Sequence, residues 1–192
     1  MRRNFVTFLL VGINILLFLV CELLGGSMNT DIIVKMGAMV TPSAFSLREC
    51  WRLLASAFLH FGFSHLLNNM VSLCAIGSFL EERIGHIRFL VLYLGGALIG
   101  NLVSWLWYTR TDTVTISAGA SGAVCALLGA VAALVLFRKK ETRGISIPRM
   151  LLAVILVVLP RAGANVDLAA HAGGLAGGFL LMPLLSLTMT DC

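Results

Sequence analysis

The sequence predicts an all-α polytopic membrane protein, and three observations carry that prediction. Hydrophobic residues fill 59% of 192 positions while charged residues fill only 12%, too few to cover a soluble domain of this size. Mean hydropathy is +0.97. Apolar runs close to twenty residues long recur along the chain, the length needed to cross ~30 Å of hydrocarbon. Residues 1–192 leave room for one compact membrane-embedded domain and no second soluble one.

Apolar runs bounded by polar breaks give six candidate spans, at about Phe5–Leu24, Phe61–Leu80, Ile87–Tyr108, Ile116–Phe137, Ile147–Leu159 and Leu168–Leu187. The first follows Met1-Arg2-Arg3-Asn4 and is too long for the apolar part of a cleaved signal, so it reads as an uncleaved helix. Between it and the second span lies a long loop, about 25–60. Its Ile32-Ile33-Val34, Met39-Val40, Phe45 and Trp51 favour a partly membrane-embedded, interfacial element over a flexible outer loop. The fifth span is the weakest, opened by Pro148 and closed by Pro160-Arg161. Glycines spaced four apart (Gly96 with Gly100, Gly173 with Gly177, Gly174 with Gly178) predict close backbone packing of the third and sixth spans.

Lysine and arginine set the orientation. With a cytoplasmic N-terminus, nine fall inside (Arg2, Arg3, Arg83, Arg88, Arg138, Lys139, Lys140, Arg143, Arg149) and five outside (Lys35, Arg48, Arg52, Arg110, Arg161). Both termini are therefore expected in the cytoplasm. The net charge of +5 is spread over short loops, which argues against nucleic acid as a partner. Five cysteines lack metal spacing, so neither a disulfide, a metal nor another cofactor is expected.

Polar side chains within spans are costly and each needs a reason. Asn14 and Asn101 stand alone and read as interhelical hydrogen bonds. His65, Ser121 and His171 differ, because the second, fourth and sixth spans all start at the outer face and carry these residues about four, five and three positions in. At ~1.5 Å per residue they share one depth, where three helices can form one site. Ser121 lies in Gly119-Ala120-Ser121-Gly122, uncrowded enough for a substrate backbone to approach, although a small-residue packing face explains the same residues. His171, in Ala170-His171-Ala172-Gly173-Gly174, can take a serine proton, with a structural hydrogen bond as its alternative. His65 and Asn69 share a helix face and can donate toward one point, as an oxyanion requires. His60 and Asn68 read as structural.

In order along the chain, Trp51-Arg52, His60, His65-Leu66-Leu67-Asn68-Asn69, Glu81-Glu82-Arg83-Ile84-Gly85, Gly119-Ala120-Ser121-Gly122, Asn165-Val166-Asp167 and Ala170-His171-Ala172-Gly173-Gly174 with Gly178 resemble the rhomboid family of intramembrane serine proteases. The resemblance implies a six-transmembrane-helix core in which Ser121 attacks the scissile carbonyl and His171 serves as base and then acid. It implies an oxyanion hole from His65, Asn69, the backbone N–H of Ser121 and that of Ala120. Transmembrane protein substrates in the lipid bilayer, and a multi-pass place in a bacterial inner membrane, are the implied partners and location; no oligomeric state is implied. The fifth helix with Arg161–Leu168 would form a gate and cap. Cys125 stands one turn after Ser121, where many relatives carry an aromatic ring against the catalytic imidazole. A catalytically inactive, client-binding rhomboid-like protein is the alternative, and a six-helix transporter or channel a weaker one.

Overall fold

The computed structural model describes residues 4–41, 48–158 and 166–187. It contains the helices α1 (Phe5–Leu24), α2 (Thr30–Met36), α3 (Arg52–Ala55), α4 (Gly62–Ile84), α5 (His86–Arg110), α6 (Ser121–Phe137), α7 (Ile147–Val158) and α8 (Leu168–Ser186). Strands β1 (Met39–Thr41) and β2 (Thr115–Ser117) pair antiparallel, Met39 opposite Ser117. Arg2, Arg3, Phe45, Leu159 and most of the expected cap at 161–168 lie outside the described residues.

Four of these helices, α1, α4, α5 and α8, are long and apolar enough to cross a membrane, while α6 and α7 are shorter apolar helices. The centre of the bundle is α6. Its Ala123, Val124, Ala126, Leu127, Ala130 and Leu134 are almost fully buried, as expected of a helix apolar on every face. At the periphery, α1 turns Leu16, Leu19 and Leu23 outward.

Small residues decide how closely α6 can be wrapped. A Cβ on Gly174 would overlap the Gly122 carbonyl, one on Gly178 the Ala126 carbonyl, and one on Gly129 the Leu175 carbonyl. On α5, a Cβ at Gly100 would stand 2.8 Å from the Ala170 carbonyl oxygen. Across the same contact, Gly173 and Gly177 receive Val103 and Ile99, at 2.6 and 2.8 Å from their ideal Cβ positions. The four-residue glycine spacing thus marks the tight α5–α6–α8 packing that it predicts.

Two element ends depart from the sequence expectation. The second span continues past Leu80 because Glu81 is a buried structural group: its carboxylate accepts the Val6 and Thr7 N–H groups at 2.8 and 2.7 Å and the Thr7 hydroxyl at 2.6 Å. Asn4 gives α1 no side-chain cap, so Glu81 satisfies first-turn donors of α1 from another helix. Glu81→Ala is expected to lower stability by about 2–3 kcal/mol, read as an earlier unfolding midpoint in detergent; an unchanged midpoint contradicts the capping role. The second departure is α6, which begins at Ser121 rather than Ile116, because Ile116 belongs to β2 and Gly119 turns the chain at φ 148°.

The described parts of the first loop are held together by side-chain bonds to the backbone. Arg52 donates to the Val34 and Ala38 carbonyls at 2.5 and 3.1 Å and pairs with Glu49, tying α3 to the end of α2. The loop's own Ile33, Met39 and Leu53 are buried, while Trp51 is half exposed.

Candidate active site

Ser121 is the first residue of α6, and its N-cap Ala120 offers no side-chain acceptor. The N–H groups of Ser121, Gly122 and Ala123 therefore lack acceptors within the helix; the Val124 N–H is the first to close, on the Ala120 carbonyl at 2.9 Å. Gly119 is required just before it. Besides its positive φ, a Cβ there would lie 2.8 Å from the His65 ring.

His171 is the fourth residue of α8, whose N-cap is Asp167. Asp167 Oδ1 accepts the Ala170 N–H at 2.9 Å, and Oδ2 accepts the hydroxyls of Ser104 and Ser117, each at 2.6 Å. One carboxylate therefore caps α8 and ties its start to α5 and to β2. The α6–α8 contact then brings His171 Nε2 to 2.8 Å from Ser121 Oγ. His171 is only 8% exposed.

Three of the expected site residues meet in one place. His65, Ser121 and His171 line a single cavity of about 380 Å³, walled further by Tyr108, Asp167 and β2. Asn69 is not in that wall; it is buried one turn beyond His65, its Nδ2 donating to the His65 carbonyl at 3.0 Å. Ala120 also differs from expectation, since its N–H donates to His60 Nε2 at 3.4 Å. The His60 and His65 rings meet edge to face, centroids 5.1 Å apart. Cys125 is buried in the core. Among the described residues no group of three or more His, Cys, Asp or Glu is placed to hold a metal ion.

Sequence reasoning missed two contributors. His60 reads there only as structural, yet it precedes α4 and reaches the peptide beside Ser121. Asp167 figures there only as part of Asn165-Val166-Asp167, with no role of its own. An Asp four residues before the first closable N–H of a helix, here that of His171, is an N-cap signal that identifies part of its role; the bonds to Ser104 and Ser117 leave no local trace.

The family model described as "Rhomboid domain" matches residues 47–188. "Rhomboid protease GluP" of Bacillus subtilis (strain 168) is 36% identical over 182 residues, covering 94% of this chain and 35% of that protein. "RHOMBOID-like protein 7" of Arabidopsis thaliana is 37% identical over 165 residues, 85% of this chain and 51% of that protein. "Rhomboid-like protease 3" of Toxoplasma gondii is 33% identical over 158 residues, 80% of this chain and 58% of that protein. The chain thus spans a third to somewhat over half of the length of these relatives. A domain match over most of the chain, on a bundle of apolar membrane-crossing helices, makes this chain an integral membrane protein of the rhomboid family.

Proposed function

We propose that the chain is an intramembrane serine endopeptidase that hydrolyses peptide bonds in or near transmembrane segments of membrane proteins. The observation that carries this reading is the 2.8 Å approach of His171 Nε2 to Ser121 Oγ at the wall of a cavity. Serine is a weak nucleophile on its own and needs a base at hydrogen-bond distance. His171 takes the Ser121 proton as Oγ adds to the scissile carbonyl, then passes it to the leaving amine. A water, deprotonated by the same imidazole, releases the acyl group.

The oxyanion of each tetrahedral intermediate needs fixed donors. Ser121 supplies its N–H at the positive end of α6, where the helix field favours negative charge. His65 lines the same cavity, its ring beside Gly119. Asn69 joins them when its amide leaves the His65 carbonyl, in keeping with catalytic hydrogen bonds that tighten only around bound substrate. Ala120 keeps its N–H on His60 and is not needed. His65→Ala and Asn69→Ala are each expected to lower turnover by about one to three orders of magnitude with the fold intact; unfolding of both in detergent would make them structural instead.

The substrate binds as an extended strand. Among the described residues β2 pairs only with β1, and its Thr115–Ser117 also line the cavity. An intact helix hides its carbonyls in its own hydrogen bonds, so the cleaved segment must unwind, and a strand edge rewards that. We read α1, α4, α5, α6, α7 and α8 as six spans of one domain, the loop at 25–60 lying partly in the membrane. The basic loops point both termini to the cytoplasm, with a bacterial inner membrane as the expected setting.

The test is cleavage in proteoliposomes of a single-span protein carrying small or helix-breaking residues near one end of its span. Cleavage there, located by sequencing the new N-terminus, supports the reading. No cleavage of any single-span protein in such a panel, or cleavage confined to soluble proteins, overturns it.

A further inference from the structure

We propose that the short 3-10 turn Ser56–Phe58 and the following His60 form a bracket that sets the start of α6, with Asn101, Ser56 and His60 as positioning residues for the reaction. This rests on Ser121 acting as the nucleophile. The two peptide N–H groups immediately before Ser121 are both claimed by this turn: Gly119 donates to the Ser56 carbonyl at 2.9 Å and Ala120 to His60 Nε2 at 3.4 Å. The next N–H along the chain is that of Ser121, which has no acceptor within its helix. By holding the two preceding groups, the bracket decides which N–H faces the cavity and in what direction.

The bracket is itself anchored. Asn101, from α5, donates through Nδ2 to the Leu53 carbonyl at 2.7 Å and to Ser56 Oγ at 3.0 Å. Asn101, Ser56 and His60 are 6%, 1% and 1% exposed, so breaking any of these bonds leaves a buried polar group to be satisfied elsewhere. His60 must offer Nε2 as an acceptor, which fixes its neutral tautomer with the proton on Nδ1. Asn101 is thus more than an isolated interhelical bond. It connects α5, through the first loop, to the residues that precede the nucleophile, and none of the three side chains touches substrate in this arrangement.

A purely structural role and a positioning role differ in what they change. The experiment measures kcat and KM for cleavage of a reconstituted single-span substrate, with kcat expressed per active site titrated by a serine-reactive fluorophosphonate, so that unfolded protein does not count. Asn101→Leu, His60→Leu and Ser56→Ala are compared with the conservative His60→Gln, whose Oε1 can still accept. The expected result is a kcat per titrated site lower by about ten- to hundredfold in Asn101→Leu and His60→Leu, with KM nearly unchanged. A smaller loss is expected in Ser56→Ala, which keeps the carbonyl bond to Gly119, and partial recovery in His60→Gln. The Asn101→Leu/His60→Leu double variant should lose less than the product of the single losses, because both act on one bracket.

Unchanged kcat per titrated site in Asn101→Leu and His60→Leu, with only a lower unfolding midpoint, overturns the bracket. Should either variant fail to fold, Ser56→Ala and His60→Gln decide: wild-type kcat per titrated site in both also overturns it, and a reduced kcat in both supports it. A Ser121→Ala control separates the two levels. If Ser121→Ala still cleaves, the nucleophile assignment fails and the bracket with it; if Ser121→Ala is inactive and the bracket variants are not impaired, the bracket alone fails.

Discussion

Ser121→Ala and His171→Ala are each expected to reduce cleavage of a transmembrane substrate by about four orders of magnitude or more. The reason is that neither group works alone. Without the imidazole at 2.8 Å from Ser121 Oγ, the hydroxyl keeps its proton and attacks poorly; without the hydroxyl, the imidazole has no nucleophile to activate. The two losses should not multiply. A Ser121→Ala/His171→Ala variant is expected to be no slower than either single variant, because removing one member of a unit already removes its function. Both substitutions shorten a side chain at the cavity wall, so unfolding midpoints should stay near that of the wild type. Initial rates over a wide range of enzyme concentration measure this, and single variants retaining a tenth of the activity would contradict it.

Gly178→Val carries the largest expected effect on the fold. Its Cβ would overlap the Ala126 carbonyl on α6, and a backbone carbonyl inside a helix cannot step aside as a side chain can. Relief requires α8 to move away from α6, the contact that holds His171 against Ser121. A loss of about 3 kcal/mol or more in stability is expected, and activity should fall further than the remaining folded fraction explains, because the histidine is displaced as well. Gly174→Val, facing the Gly122 carbonyl, should behave alike. Gly12→Ala is the control: nothing lies within 4 Å of its ideal Cβ, so stability and turnover should match wild type. Comparable losses in all three would mean that close packing does not set these positions apart, since helix propensity alone favours Ala over Gly at position 12.

Much of the bundle could be read from local pattern. The run Phe5–Leu24 is uninterrupted and apolar, and α1 has those same bounds. Both ends of α5 and α8, and the start of α7, fall within two residues of expectation, since polar or proline breaks flank each. The start of α6 was not legible, because Ile116 is as apolar as a helix residue and only its pairing with Val40 reveals a strand. That shift changes the chemistry. Ser121 moves from inside a span to a helix N-terminus, where its N–H is open. Ser121, His65 and His171 could be recognised because a polar group in an apolar run needs a reason. His60, Asp167 and the Asn101–Ser56 connection could not, because their partners lie 45 to 63 residues away and no spacing rule encodes them. Asn69 marks the other boundary: its place in sequence was clear, while its amide rests on the His65 carbonyl.

The central claim is that Ser121 is a nucleophile made reactive by His171. A fluorescent fluorophosphonate, reacted with purified protein in detergent and read on a gel, tests it most directly because no substrate need be known. Strong labelling of the wild type, weak labelling of His171→Ala and none of Ser121→Ala is the predicted result. Equal labelling of wild type and Ser121→Ala, or no labelling of the folded wild type, would contradict it.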